Sequence, residues 1–372
     1  MSVPKLLMDR SKILESYKQI NSALPQFNIA YAMKANSHTE IITLLDQAGS
    51  HFETASIEEI RNLIAMGITS DRIIFSNPVK PVQAIMAAIE LGIYYMSFDS
   101  VDEVIKFSPF RKNMGAMLRV DVSNEGSLWV LNGKFGCPES LWEEIFSKMQ
   151  EENIPLAGIT FHVGSQCESI NTWNKAMDQA LKAIQMSHKF NLTPNTLNIG
   201  GGFPINLGRK IPTIQEIGET IQKNIEKWKS LGVHIKNFYA EPGRFIAGPA
   251  GTMMSHVIGI AKREIKGKIE KWVFLDTGVF SGFMETIDGI TYPMLSNGSG
   301  DIEEVMLCGP SCDSADKMYK AKLPSPRTGD TIYFSGAGAY TTAYASEFNG
   351  IQPPKVHFLD SFDDIKKVTL ID

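Results

Sequence analysis

The chain has 372 residues, which exceeds the usual size of a single hydrophobic core and predicts one large domain plus a second one. Its composition, 43% hydrophobic and 21% charged, is ordinary for a soluble globular protein, and its net charge of −5 disfavours nucleic-acid binding. The residues after Met1 do not follow the pattern of a signal peptide, and the longest apolar runs are too short to span a membrane. Four cysteines in a chain of this length do not indicate a disulfide scaffold, so we expect a cytoplasmic protein.

Short apolar segments alternate with amphipathic helical segments from about residue 10 to residue 245. Gly49, Gly67 and Gly92 close three of the predicted helices. Strand-helix alternation predicts parallel strands, and about eight such units in roughly 240 residues predict a (β/α)8 barrel. The predicted segments are helix 11–24, strand 27–33, helix 39–48, strand 51–54, helix 57–66, strand 72–75, helix 82–91, strand 94–98, helix 101–107, strand 116–120, helix 141–151, strand 157–163, helix 172–190, strand 196–199, helix 214–231 and strand 237–240.

The pattern changes after Pro242, where strand-like segments follow one another without long helices between them. Together they predict an antiparallel β domain. We therefore divide the chain into a barrel over residues 10–245 and a β domain over residues 246–372, joined by residues 1–9. The strand-like segments are 252–265, 271–276, 301–307 and 331–334, with 3–8 expected to join them.

Polar or glycine-rich elements end six of the predicted barrel strands. We expect these elements to gather, because the active sites of such barrels lie at the carboxyl ends of the strands. Lys34 is a candidate Schiff-base lysine, since burial lowers a lysine pKa and exposes the neutral amine. Taken alone, it also fits an ordinary solvated lysine at a strand end. The six elements are Lys34, Glu53, Arg119, His162, Gly200-Gly201-Gly202 and Glu241.

The glycine run Gly200-Gly201-Gly202 allows unusual backbone dihedrals and can present successive N–H groups to an anion. Arg244 could offer a forked cation to the same phosphate, although a plain loop remains the alternative. Glu241 is either a salt-bridged carboxylate or the partner of a protonated pyridine nitrogen. His162 is either a core histidine with its hydrogen bonds satisfied or a ring that stacks on a flat cofactor.

The second domain adds a thiol and a carboxylate, Cys312 and Asp313, on a loop rich in proline and small residues. Cys308 lies four positions before Cys312, but the chain has no second cysteine or histidine pair at metal spacing, so no metal site is predicted. An inert buried cysteine is the alternative. Tyr340 stands among glycines and small residues, where its phenol could reach a phosphate or belong to the core.

Taken in order, these motifs resemble the fold-type III pyridoxal 5'-phosphate (PLP) decarboxylases of the ornithine, lysine, arginine and diaminopimelate group. The resemblance extends over nearly the whole chain and is nearest to the bacterial-type ornithine/lysine enzymes. It implies the barrel and β domain predicted above. The motifs are YAMKAN at 31–36, FHVGS at 161–165, GGGFP at 200–204, EPGRF at 241–245, CGPSCD at 308–313, and GAY at 338–340 with FNG at 348–350.

The resemblance implies roles for these residues around a PLP cofactor. Lys34 would bind the cofactor as a Schiff base, and His162 would stack on its ring. Glu241 would pair with the pyridine nitrogen, while Glu53 and Arg119 would also belong to the cofactor site. The other residues expected there, most of them at the phosphate, are Ser165, Gly200, Gly201, Gly202, Gly243, Arg244 and Tyr340.

In this family the active site is shared across a head-to-tail dimer, so the resemblance implies a homodimer. Cys312 would donate a proton to the substrate Cα and Asp313 would meet its distal amine, both from the partner subunit. Glu285 or Asp288, in a segment that resembles the specificity helix of bacterial lysine/ornithine enzymes, would recognise that distal group. Tyr340 is also expected at the substrate. Alternatively, Glu285 and Asp288 are solvent-facing helix charges.

The resemblance implies decarboxylation of ornithine or lysine to putrescine or cadaverine, as in polyamine biosynthesis. The Cys312-Asp313 pair supports this choice, because diaminopimelate decarboxylases usually carry Cys-Glu-Ser in that loop. Diaminopimelate, arginine and bulkier adducts from siderophore or antibiotic pathways are the alternative substrates. A racemase matches the barrel but not this loop, and an inactive regulator-binding homologue would have no need to retain Lys34, Glu241 and Arg244.

Overall fold

The computed structural model describes residues 3–131 and 133–361, so residues 1–2 and 362–372 of the predicted β domain lie outside the described residues. The strands are, in chain order, β1 (Lys5–Asp9), β2 (Asn28–Ala32), β3 (His51–Thr54), β4 (Ile73–Phe75), β5 (Tyr95–Phe98), β6 (Gly115–Arg119), β7 (Ser127–Trp129), β8 (Leu156–Thr160), β9 (Ser165–Cys167), β10 (Thr196–Asn198), β11 (Asn237–Ala240), β12 (Gly251–Ile265), β13 (Lys268–Leu275), β14 (Met294–Ser296), β15 (Ile302–Cys308), β16 (Lys317–Pro324), β17 (Thr331–Ser335) and β18 (Lys355–Leu359).

Eight of these strands close into a barrel, which confirms the predicted (β/α)8 fold. Around the barrel they follow the order β2, β3, β4, β5, β6, β8, β10 and β11, and every neighbouring pair is parallel. Inside the barrel, Ala30, Ile74, Met117 and Tyr239 form a small buried cluster. Because this cluster fills the interior between the strands, the polar residues that end the strands are left facing the carboxyl end of the barrel.

Helices cover the outside of the barrel, and local capping signals set where they begin. Ser56 accepts the N–H of Glu59, and Thr213 and Glu216 form a reciprocal capping box at the start of another helix. The predicted stop at Gly49 is a residue of positive φ directly after a helix. The helices are α1 (Arg10–Ala23), α2 (Thr39–Gln47), α3 (Ile57–Ala65), α4 (Val82–Glu90), α5 (Val101–Phe107), α6 (Trp142–Glu151), α7 (Ile170–His188), α8 (Ile214–Ser230) and α9 (Arg244–Ala247).

The second body of structure is an eight-stranded sheet built from β1 and from β12 to β18. The predicted participation of the first segment is confirmed, because β1 lies between β12 and β18. Most pairs are antiparallel as predicted, but β1 with β18 and β13 with β15 are parallel, so the sheet is mixed. Unlike adjacent strands of a hairpin, both parallel pairs join segments that are distant in sequence, which a local pattern does not reveal.

Three strands of this sheet, β14, β16 and β18, were not predicted. In β16 the lysines Lys317, Lys320 and Lys322 are exposed, whereas Met318 and Leu323 are buried. Lysine is depleted in strands, so the alternating apolar signal of this edge strand is weak. In the described residues, none of the helices combines the length and apolar character that crossing a bilayer requires.

Candidate active site

A cavity of about 260 Å³ lies at the carboxyl end of the barrel. Five of the six predicted strand-end elements, Lys34, Glu53, Arg119, His162 and Glu241, line it. Strands from all around the barrel therefore bring their terminal polar residues to one place, as the barrel architecture predicts. The aromatic and aliphatic part of the wall is provided by Pro78, Leu131, Phe135 and Phe161.

Lys34 lies in a single 3-10 turn, Met33–Ala35, directly after β2. Its ammonium is ion-paired with the buried carboxylate of Glu53 at the end of β3, and 40% of the Lys34 side chain remains accessible, on the cavity side. Burial acts to lower the pKa of Lys34, but the negative charges of Glu53 and Glu241, with a contribution from Tyr340, outweigh it and raise the pKa above its ordinary value. The sequence-based expectation of a lowered pKa for this lysine is therefore wrong.

Glu241 is buried at the end of β11, where residues at the ends of β4 and β10 donate hydrogen bonds to it. Its Oε1 accepts from Ser76 Oγ at 2.5 Å and from Asn198 Nδ2 at 2.6 Å. Burial and the nearby charge of Glu53 raise the pKa of Glu241. The two donors fix the carboxyl group in the cavity wall, and the raised pKa suits a group that shares a proton with a partner.

His162 follows β8 and presents a neutral ring. Its Nδ1 accepts the N–H of Gly164 at 3.0 Å, which fixes the ring orientation. Burial lowers the pKa of His162 well below its ordinary value, and the positive charges of Arg119 and Lys34 act in the same direction. A neutral, oriented imidazole in the cavity wall has the properties of a stacking surface. The alternative, a core histidine with satisfied hydrogen bonds, explains only the hydrogen bond that Nδ1 accepts.

The glycine run adjoins the same cavity, and its positions exclude larger residues. Gly200 and Gly202 have φ of 62° and 101°, in the left-handed region. A Cβ on Gly200 would collide with the carbonyl of Phe161, and one on Gly201 would lie 3.0 Å from His162 Nε2. Because the Gly200 N–H already donates to Asn198 Oδ1 at 2.9 Å, any anion nest in this run would have to use the N–H groups that follow it.

Arg244 begins α9 and is only 3% exposed. Its Nη2 donates to Ser165 Oγ at 3.1 Å and to the carboxylate of Glu285, and its guanidinium lies 4.8 Å from the centroid of the Tyr340 ring. The remaining nitrogen, Nη1, is buried and has no hydrogen-bond partner among the described residues. Buried polar groups are normally satisfied, so this nitrogen is free to donate to an anionic ligand.

Glu285 and Asp288 occupy one short 3-10 helix, Met284–Asp288, yet their environments differ. Glu285 is 3% exposed and pairs with Arg244, so the alternative of a solvent-facing charge is wrong for this residue. Asp288 is exposed. Neither residue lines the cavity in the described chain.

Cys312 and Asp313 lie on an exposed loop after β15, away from the cavity that holds Lys34. The thiol of Cys312 is 3.3 Å from Asn349 Oδ1, and the backbone N–H of Cys312 donates to the same oxygen at 3.1 Å. The alternative of a buried, inert cysteine is wrong for Cys312, although it describes Cys308. Within one chain the structure does not bring this thiol to the strand ends.

Several polar residues that support the site were missed by the sequence analysis. Ser76 and Asn198, which hold Glu241, follow or end strands, so the same strand-end rule could have found them. Lys80 is fully buried beneath the loop that lines the cavity. Its ammonium donates to the carbonyls of Asn77, at 2.8 Å, and Ser97, and thereby ties together the ends of two barrel strands.

Replacing Lys80 with methionine is expected to lower the free energy of unfolding by about 3 kcal/mol, because buried carbonyls then lose a charged donor. Urea denaturation of the purified variant measures this change. Replacing the half-exposed Lys182 with methionine is the matched control and should change the free energy of unfolding by less than about 0.5 kcal/mol. Equal stability of the two variants would contradict the supporting role of Lys80.

The groups around this cavity fit one particular cofactor. Pyridoxal phosphate requires an amine for its aldehyde, an acid beside its pyridine nitrogen and an anion site for its phosphate. Lys34 and Glu241, in the cavity wall, would supply the first two groups, and the unpartnered Nη1 of Arg244 would supply the third. A (β/α)8 barrel with such a site defines a pyridoxal-phosphate enzyme.

Comparisons with known proteins agree. Residues 10–248 match the family model described as pyridoxal-dependent decarboxylase, pyridoxal binding domain. The chain is 32% identical to the lysine/ornithine decarboxylase of Selenomonas ruminantium, over 98% of this chain and 94% of that protein. It therefore belongs to the pyridoxal-dependent decarboxylase family, and pyridoxal phosphate is its cofactor.

Two further relatives bear on its activity. The crystal structure of a lysine/ornithine decarboxylase from Vibrio vulnificus in complex with cadaverine superposes with a TM-score of 0.85 at 30% identity, covering 96% of this chain and 94% of that one. The antizyme inhibitor 2 of Xenopus laevis is 29% identical over 94% of this chain and 79% of its own length. Proteins named as decarboxylases and one protein named as an inhibitor are thus similar in sequence to this chain.

Proposed function

We propose that this protein decarboxylates a basic L-amino acid, ornithine or lysine, and releases the diamine putrescine or cadaverine. The observation that carries this proposal is the presence of Lys34, Glu53, His162 and Glu241 around one cavity in a chain similar to lysine/ornithine decarboxylases. The similar Vibrio vulnificus structures are complexes with cadaverine and with putrescine, which supports a diamine product.

Lys34 would hold the cofactor through its side-chain nitrogen. The raised pKa of Lys34 means that its ammonium must lose a proton before the nitrogen can act as a nucleophile. The ion-paired carboxylate of Glu53 is the group placed to take that proton. When bound, the cofactor ring accepts the electron pair that remains after the substrate carboxyl leaves as carbon dioxide.

Glu241 and His162 would orient the ring. Glu241, held by Ser76 and Asn198, has the raised pKa of an acid that can share a proton with a pyridine nitrogen. His162, neutral and fixed through Gly164, would cover one face of the ring without adding a competing positive charge. Arg119 lies in the same cavity wall, with its guanidinium 5.4 Å from the centroid of the Phe135 ring.

The phosphate would occupy the anion site beside the glycine run. Arg244 Nη1, the hydroxyl of Ser165 and the N–H groups of the Gly200–Gly202 loop are its proposed ligands, together with Gly243 and Tyr340. The N–H of Tyr340 donates to the carbonyl of Ala35 at 2.8 Å, so the phosphate site and the Lys34 turn are directly linked.

We further propose that the functional unit is a homodimer with shared sites. Cys312 and Asp313 are exposed and lie outside the cavity, which supports their entry into the site of a partner subunit. The exposed apolar side chains of Ile287, Tyr344 and Phe348 also suit an interface.

The four cysteines are free, which supports a reducing cytoplasmic location. We also propose a division of the chain into residues 10–245 and 246–372 with 1–9, supported by the family match over residues 10–248.

The distal amine of the substrate needs a carboxylate partner. Asp313, Glu285 and Asp288 were all predicted for this contact. Asp288 and Asp313 are exposed, as a residue that acts across a subunit boundary must be, whereas Glu285 is paired with Arg244. The observed contacts therefore support the two aspartates over Glu285.

The substrate is tested by offering the purified holoenzyme ornithine, lysine, arginine and diaminopimelate, and by measuring carbon dioxide and amine. We expect kcat/KM for ornithine or lysine to exceed kcat/KM for arginine and diaminopimelate by at least about tenfold. A misplaced or extra charge at the distal end of the substrate would leave a buried group of the site unpaired. Activity confined to arginine, diaminopimelate or a bulky adduct would remove the diamine proposal.

Replacing Cys312 with alanine is expected to slow diamine formation by roughly a hundredfold, because a positioned general acid contributes about that much. Protonation at the wrong carbon should rise in parallel, which chromatography of the products detects. Replacing the buried Cys308 with alanine is the matched control and should leave the product ratio unchanged. Wild-type turnover and product ratio in Cys312→Ala would show that the thiol is not the proton donor.

Mixing Lys34→Ala and Cys312→Ala chains tests the shared site. Each parent dimer carries the same defect in both sites, whereas a mixed dimer has one site with both residues intact. Random exchange should restore about a quarter of the wild-type turnover. Absence of any recovery, with subunit exchange verified by mass spectrometry, would contradict a site built from two chains.

A further inference from the structure

A buried glutamine lies directly beside the proposed phosphate site. Gln166 is fully buried in β9, immediately after Ser165, whose hydroxyl accepts from Arg244. Its side-chain Nε2 donates to the carbonyl of Ile205 at 2.6 Å, and its Oε1 accepts the N–H of Ile205 at 3.0 Å. One side chain thus makes both hydrogen bonds that a neighbouring strand would make to that residue.

The backbone of Gln166 is strained, with φ of 55°. Most of the other described non-glycine residues with a left-handed backbone have a simple reason for that conformation. They are asparagines, which tolerate it, or they lie in the β12–β13 hairpin turn. Gln166 and Tyr340 have no such reason; the Tyr340 ring contacts Arg244, and Gln166 directly follows Ser165, which bonds Arg244. Strained residues of this kind cluster at functional sites, where the surrounding contacts hold them in place.

The two segments that Gln166 joins are the two halves of the proposed phosphate site. Ser165 follows the barrel strand β8, whereas Ile205 follows the Gly200–Gly202 loop after β10. A hydrogen bond from Cys167 N–H to the carbonyl of Gly202, at 2.9 Å, runs alongside. The amide of Gln166 therefore sets how far the Ser165 hydroxyl lies from the glycine N–H groups.

We propose that Gln166 is a positioning residue for the cofactor phosphate: by bonding both backbone groups of Ile205, it fixes the glycine loop against Ser165 and Arg244. This proposal rests on the proposed function, since it assumes that the phosphate lies between these elements. Gln166 itself does not line the cavity. Its effect is exerted through the spacing of the ligands, so it should depend on the phosphate group and not on the pyridoxal ring.

The test compares two probes that differ only in the phosphate. Full-length wild type and the variants Gln166→Met and Gln166→Gly are titrated with PLP and, separately, with pyridoxal, and Kd is measured from the absorbance change. Methionine keeps the length of the side chain and removes both hydrogen bonds. Glycine removes the hydrogen bonds and also relieves the positive φ, so it carries the test if the methionine variant does not fold.

Both variants are expected to raise Kd for PLP by about tenfold or more, the effect of losing one or two hydrogen bonds, while Kd for pyridoxal changes less than about twofold. The control Asn191→Gly, at an exposed residue with φ of 58° after α7, should change neither value. Unchanged PLP binding in a folded variant, or equal weakening for both probes, would overturn the role of Gln166. A wild-type chain that binds PLP no more tightly than pyridoxal would instead overturn the phosphate site itself, and Gln166 with it.

Discussion

Replacing Lys34 with alanine is expected to reduce diamine formation by roughly a thousandfold or more, because the chain then lacks the amine that holds and exchanges the cofactor. Lys34 is the only lysine among the described residues that line the cavity, so no neighbouring amine can replace it. The loss should be seen both in turnover and in the absorbance band of the covalently held cofactor.

The matched control for this variant is Lys182→Ala, at an exposed lysine on α7. It should retain wild-type turnover and absorbance. A Lys34→Ala chain with near wild-type turnover would contradict the assignment. The two signals also separate the proposed enzyme from an inactive regulator-binding homologue, in which the wild-type chain itself would show neither turnover nor the absorbance band.

Replacing Glu241 with glutamine is expected to lower kcat by about a hundredfold or more, since a preorganised charge beside the developing electron pair is lost. The glutamine carbonyl can still accept from Ser76 and Asn198, so the shape of the site is preserved and the ionisable proton alone is removed. Steady-state kinetics at saturating substrate measures the effect, and cofactor absorbance verifies that the variant still binds PLP.

Glu226→Gln, at an exposed carboxylate on α8, controls for the loss of one negative charge from the chain. It should leave kcat unchanged. If Glu241→Gln retains kcat within about threefold of wild type while Glu226→Gln behaves as expected, Glu241 does not pair with the cofactor ring, and its burial between Ser76 and Asn198 is structural.

The barrel and the position of its site follow from local sequence patterns. Apolar strands that alternate with capped amphipathic helices can pair only in parallel, and parallel strands of a closed barrel place their terminal residues at one end. Lys34, Glu53, His162 and Glu241 were therefore predicted to meet before any contact between them was known, and they do line one cavity. Each of these positions depends on where a strand ends, which is a local property.

The contacts that the sequence did not predict depend on pairs of segments far apart in the chain. Glu285 was expected at the substrate, yet it pairs with Arg244, 41 positions away at the start of α9. Gln166 bonds Ile205, 39 positions away. Neither partner can be read from periodicity or spacing.

The ionisation of the site was also beyond local prediction. Burial of a lysine lowers its pKa only where no opposite charge is near. At Lys34 the carboxylates of Glu53 and Glu241, delivered by two other strands, reverse the sign of the shift. A sequence pattern can place three charged groups at one end of a barrel, but the net direction of a pKa depends on their distances and their exposure.

The central claim is that the side-chain nitrogen of Lys34 binds the cofactor covalently. Reduction of the holoenzyme with borohydride, followed by proteolysis and mass spectrometry, locates the attachment point directly. We expect a single pyridoxyl label on the peptide that contains Lys34. A label on another lysine, or no label in a preparation that retains its cofactor, would contradict this account.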